Sequence, residues 1–277
     1  MMTSTHALLA LTIAMPSTAG VTCDIAGTST TPGDEVRARH ACETARARFA
    51  QLFGHPVPRV RIVLWQSNGY RAGLDDRNHA VVFWPNSASI AVPDDSAAAE
   101  KHLNEQWQNI LPHEIAHVLL AARFFAEQAA GDGSEYGTPL PDWLDEGVAI
   151  WAESLGNRRT RLDDARALPE RRRDLRAILG DSHPATGNSD ILAIRDGAPP
   201  PDDEALWAFY PQSIAVLDFV YDAGGSDATR ELVERLLSDP ECDPVSGLPG
   251  LPADFSDVVA AWDRWIDRTR TQAAGDG

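Results

Sequence analysis

Positive charge is scarce, and lysine is almost absent. Lys+Arg number 24 against Asp+Glu 41, a formal net charge of −17, and Lys101 is the only lysine in 277 residues. A chain this acidic is repelled by phosphate, which argues against general binding to nucleic acid or anionic membranes. Cysteine is nearly as rare. Cys23, Cys42 and Cys242 are too few for a disulfide scaffold and lack the paired spacing of a zinc ribbon. In an exported chain Cys23 and Cys42 could form a disulfide, leaving Cys242 free; in a reducing compartment all three would be small hydrophobes. After the N-terminal region no apolar run reaches the ~18 residues of a membrane-spanning helix, so no transmembrane segment is expected.

What is present is the composition of a soluble globular protein, 43% hydrophobic and 23% charged. At about 150 residues per domain the length allows one large domain or two small ones. Such a chain buries about three quarters of its unfolded surface and needs no staples to fold. Ala7–Met15 is an apolar run with the length of a signal-peptide core, and Ser17-Thr18-Ala19 supplies small residues for a cleavage site. No Lys or Arg precedes the run, so an ordinary buried strand or short helix is the alternative. Residues 1–20 are therefore read as a signal peptide and the protein as exported, secreted or in the cell envelope, with a cytoplasmic location as the alternative.

The periodicities predict strands before helices. Val21, Cys23 and Ile25 alternate with polar residues as a short strand. After a loop over Thr28–Gly33, Asp34 can cap a helix to about Phe53, closed by Gly54 and two prolines. Val60, Ile62 and Leu64 form one face of a half-buried strand; Ala80–Trp84 and Ser89–Val92 read as two more around a Pro85-Asn86 turn. Helical pattern runs from Asp95 to about Ala130, kinked or restarted at Pro112, which lacks a backbone donor. Further helices are expected over about Asp142–Leu155, stopped by Gly156, then Asp203–Ala223, Ser226–Ser238 and Ala253–Thr271. Gly131–Thr138 is a glycine-bearing loop, and Ser182–Asp203 is a low-order stretch of Pro, Gly and Asp. The fold class is α+β in a single domain over residues 21–277: a small mixed N-terminal sheet with the Asp95–Ala130 helix in a lobe over 21–130, and an all-helical lobe over 131–277.

The chemistry concentrates in His113-Glu114-Ile115-Ala116-His117, an HExxH sequence in a helical stretch. Residues i and i+4 share a helix face, so both imidazoles can reach one ion, while Glu114 addresses a water beside it. Two histidines do not complete a catalytic zinc site, which usually takes three protein ligands and an open position. Leu120 and Phe124 stand where a metzincin has its Gly and third His, so the third ligand must come from elsewhere. Pro141-Asp142-Trp143-Leu144-Asp145-Glu146-Gly147 opens the next helix and offers Glu146, with Asp145 as its rival about 100° round the helix. Gly147, lacking a side chain, would let the two helices approach closely.

HEIAH followed, after a glycine-bearing loop, by PDWLDEGVA resembles the gluzincin zinc metallopeptidases, especially the small peptidase-MA-like families. In those families HExxH and a downstream W-L-x-E-G supply two His and one Glu. The strand–helix–strand opening, Tyr210-Pro211-Gln212-Ser213 and Ala261-Trp262-Asp263-Arg264-Trp265 fit the same order, so about 250 of 277 residues are covered. Only the HExxH and WLxEG motifs are specific; Pro112 and an Arg-rich insert have no counterpart in the pattern. The resemblance implies a zincin-like fold and Zn2+ held by His113, His117 and Glu146. It implies hydrolysis of peptide bonds: a metal-activated water attacks the carbonyl, with Glu114 as general base. It also implies Tyr210 as a second donor to the developing oxyanion, although Tyr210 sits in an apolar run and can equally be core.

Around that centre several readings stay open. Asp142, Asp145, Glu153 and Asp218 are available to orient the imidazoles. Ser89–Val92 is the candidate edge strand against which an extended peptide or protein substrate would pair. Arg158–Arg176 carries eight Arg and four acids, read as a solvated helical face or, alternatively, as a docking helix for an acidic partner. His40, His55, His79, His102 and His183 are read as surface or core residues. The main alternative to an enzyme is a non-catalytic, zinc-stabilised binding module, against which an intact Glu114 argues. Cleavage specificity and oligomeric state are not written in the sequence.

Overall fold

The structure is a computed structural model, and it describes residues 23–27, 32–75, 77–126, 138–167, 174–180 and 203–273. The expected signal peptide, most of the Gly131–Thr138 loop, Arg171–Arg173, His183 and the Ser182–Asp203 stretch lie outside the described residues. The architecture is α+β; among the described residues every strand lies before residue 86 and the elements after it are helices.

β1 (Cys23–Gly27), β2 (Val60–Trp65), β3 (Arg71–Leu74) and β4 (Ala80–Pro85) form one mixed sheet in the order β1-β2-β4-β3. β1, β2 and β4 run parallel; β3 runs antiparallel to β4 at the sheet's end. The alternation read in β2 holds: Val60, Ile62 and Leu64 are buried, and Arg61 faces outward. α1 (Pro32–Phe53) crosses between β1 and β2, and a Cys23–Cys42 disulfide joins it to β1, leaving Cys242 free.

Two expectations change here. Asp34 does not cap α1, which begins at Pro32; its carboxylate is buried within the first turn and accepts hydrogen bonds from Ser87. Ser89–Val92 is not a strand. Asn86 gathers it into a turn, its carbonyl and side chain both accepting the Ser89 amide at 2.9–3.0 Å. β3, with no apolar alternation of its own, takes the edge position instead.

α2 (Ser96–Glu105) starts at Asp95, whose side chain accepts the Ala98 amide at 2.8 Å. It continues through a π-helical turn, Gln106–Ile110, into α3 (Leu111–Phe124). Pro112 therefore does not break the rod: the ladder loosens just upstream, the Leu111 amide bonding back to the Gln106 carbonyl. α3 ends at Phe124, short of the expected Ala130. Ile115, Val118 and Leu119 form its buried stripe.

α4 (Asp142–Ala152) ends three residues earlier than expected, at a corner over Glu153 and Ser154, and Gly156 falls inside α5 (Leu155–Ala167) instead of stopping α4. α6 (Leu175–Leu179) is short. α7 (Asp203–Ser238) holds the two expected helices, which meet at a kink where Gly225 leaves helical geometry (φ 64°, ψ −151°), a conformation a side chain would resist. α8 (Phe255–Ala273) carries Trp262 and Trp265 against Phe219 of α7. Gly147 does permit a close approach, though to α7 and not to α3: a Cβ there would lie 2.9 Å from the Ser213 carbonyl oxygen.

Candidate metal centre

α3 and α4 pack against each other, and Ile115 and Leu119 of the one and Leu144 and Val148 of the other are all buried, at 0–1% exposure. That contact turns His113 and His117 toward Glu146. His113 Nε2 lies 3.3 Å from Glu146 Oε2, and His117 Nε2 lies 3.9 Å from Glu146 Oε1. One ligand atom from each of the three residues falls within 4.8 Å of the others. Two ligands about 2.1 Å from one ion at the tetrahedral angle stand about 3.4 Å apart, so the spacing fits a single metal ion.

The outward ring nitrogens fix the tautomers. His113 Nδ1 is 2.9 Å from Glu153 Oε1, and His117 Nδ1 is 2.8 Å from Asp145 Oδ1. An ionised carboxylate only accepts, so each Nδ1 carries a proton, and each Nε2 is the nitrogen that faces the shared point. Asp145 is anchored in turn by the Thr138 hydroxyl at 3.1 Å. Of the four available carboxylates the structure brings Asp145 and Glu153 to the imidazoles. Asp145 thus orients a ligand where it had been Glu146's rival, and Asp218 instead pairs with Arg158.

Electrostatics match a site built for a cation. Burial alone would depress His113, but hydrogen bonds and charges from Glu146 and Glu153 hold its pKa well above the usual value. His117 behaves alike: burial opposes, Asp145 and Glu146 prevail, and its pKa is raised to about 9. Without a metal the pocket holds protons; a metal would replace them. Glu114, 5% exposed, has its carboxyl pushed up by burial and partly drawn back by His113, His117 and a hydrogen bond from Tyr70.

Tyr70 went unnoticed in the sequence. It precedes β3 and rests its ring on Trp84, centroids 5.3 Å apart, with a 39% exposed side chain reaching Glu114. Nothing in Asn68-Gly69-Tyr70 marks it; only the antiparallel return of β3 brings it over α3. Tyr210, the tyrosine singled out by resemblance, is half-buried on α7 with the Arg161 guanidinium 5.2 Å from its ring centroid.

The arginine-rich stretch is not simply a solvated face. Arg161 Nε lies 3.4 Å from Glu153 Oε2, and Arg158 stacks 3.4 Å above Trp151 while pairing with Asp218. These two arginines turn inward because the buried carboxylates of Glu153 at the α4–α5 corner and Asp218 on α7 need counter-charge.

No family model, curated protein or solved structure matches this chain. Among the described residues no helix is long and apolar enough to cross a membrane.

Proposed function

We propose that this chain is a zinc-dependent hydrolase of peptide bonds with a zincin-like fold, of the gluzincin kind. The observation that carries the reading is the convergence of His113, His117 and Glu146 with Glu114 beside them. Imidazole and carboxylate donors in a three-ligand set suit Zn2+, which lowers the pKa of water and polarises carbonyl oxygens.

The chain's own residues divide the remaining work. Asp145 and Glu153 hold the two imidazoles by their Nδ1 atoms and keep each Nε2 aimed at the shared point. Glu114, with a raised pKa, takes a proton from the attacking water at its carboxylate and delivers it to the leaving amine. A purely structural site has no use for such a base, which speaks against the binding-module alternative. Tyr70, itself partly exposed, hydrogen-bonds that base. Tyr210 remains in the proposal as a donor toward the oxyanion, on the resemblance alone. β3 packs beside α3, and no described strand pairs with its outer edge, so it takes the substrate-strand role first given to Ser89–Val92. The Cys23–Cys42 disulfide supports an exported protein, because such bonds persist in oxidising compartments.

The test is metal content of the purified chain together with peptide turnover before and after chelation. We expect one zinc per chain and turnover lost on chelation and restored by zinc. Glu114→Gln should retain the zinc and lose about 10²–10⁴ in kcat. Zinc retention with native turnover in that variant would refute the hydrolase; absence of zinc uptake would refute the centre itself.

A further inference from the structure

Glu153 sits in the two-residue joint between α4 and α5, where a small swing would withdraw its carboxylate from His113. The joint is held from several directions. Arg48 of α1 donates to the Ala152 carbonyl at 3.2 Å, and Asn157 and Arg161 hold the second oxygen of Glu153. The Ser154 amide has left the α4 ladder and needs an acceptor. Asn109 supplies it, its Oδ1 at 3.1 Å. Ser154 itself then starts α5, its Oγ accepting the Asn157 amide at 3.2 Å.

Asn109 is 6% exposed and lies in the π-helical turn, four residues before His113, hence on the same side of one rod. Ser154 follows Glu153 directly. Two neighbouring rungs therefore join rod and corner: Asn109 to Ser154, and His113 to Glu153 at 2.9 Å. The side chain of Asn109 is fixed from behind, its Nδ2 donating to Glu105 Oε2 at 2.8 Å. π turns recur where a helix must re-aim a side chain at a working site.

We infer that Asn109 is a positioning residue of the metal centre: by fixing Ser154 it sets the place of Glu153, and through Glu153 the aim of His113. The inference rests on the reading of His113, His117 and Glu146 as a zinc site. It predicts a specific pattern of zinc affinities, measured by competition with a chromophoric chelator. Asn109→Ala should weaken zinc binding about tenfold, the scale of losing an outer partner of a metal ligand. In a Glu153→Ala background the same substitution should cost nothing further, because its route to the metal is already cut. In an Asp145→Ala background, which disturbs the other imidazole, it should cost its full factor again.

The double variant Glu105→Gln/Asn109→Asp exchanges donor and acceptor at the rear bond while keeping the acceptor for Ser154. It should bind zinc within about threefold of the native chain, and it carries the test if Asn109→Ala does not fold. Native affinity in Asn109→Ala, equal losses in both backgrounds, or a tenfold loss in the exchange variant would each overturn the inference. If the unaltered chain takes up no zinc, the metal centre falls and this inference with it; if it does and the variants do not follow the pattern, only the inference falls.

Discussion

At the scale of single residues, the sequence disclosed the ligands and hid their partners. The histidines of HExxH and Glu146 were legible because fixed helical spacing and a short motif carry geometry with them. Tyr70 and Asn109 were not, since a hydrogen bond across 44 or 45 positions leaves no local trace. Tyr70→Phe keeps the ring against Trp84 and removes only the hydroxyl. One hydrogen bond to a charged group is worth about 1.5–3 kcal/mol, so kcat should fall about tenfold to hundredfold with KM and zinc content unchanged. Steady-state kinetics beside metal analysis reads this directly. The raised histidines give a second expectation, for the metal-free protein. His117 has a folded pKa of about 9 against 6.5 for the free side chain, so its bound proton stabilises the fold fully below pH 6.5. That contribution is lost as pH rises through 9. Thermal midpoints recorded with a chelator should therefore decline across that window.

Among the elements, strong periodicity was readable and weak periodicity was not. β2 and α3 follow their apolar patterns, and α1 and α4 form where helices were expected, α4 ending at the Glu153–Ser154 corner. β3 is four residues containing a glycine and an exposed arginine, too short and too polar to announce a strand; pairing with β4 makes it one. The turn at Ser89–Val92 shows the converse, an apolar stretch diverted by the side chain of Asn86. Gly147 offers a test of packing between elements. Alanine there would gain about 1 kcal/mol of helix propensity. Its Cβ would also press on the Ser213 backbone at 2.9 Å, and overpacking of this kind costs about 1–3 kcal/mol. The second effect should win, because a backbone carbonyl in a helix cannot step aside. Calorimetry on Gly147→Ala should show a midpoint lower by a few degrees.

For the molecule as a whole, order along the chain was legible and depth was not. Strands before helices told the class, and the long C-terminal helices were placed nearly in full. The sequence could not say which face of the arginine-rich stretch is inward, because that depends on buried carboxylates contributed by the α4–α5 corner and by α7. The proposed metal ligands come from α3 and α4, which residues 125–141 separate along the chain. An ion held by both helices would act as a clasp between these two stretches, and it would bind the folded form alone. Each tenfold rise in free zinc above the dissociation constant should then add about 1.4 kcal/mol to the resistance against unfolding. Melting curves in zinc-buffered solutions would climb in even steps with the logarithm of the ion's activity, making the protein's durability a gauge of the zinc around it.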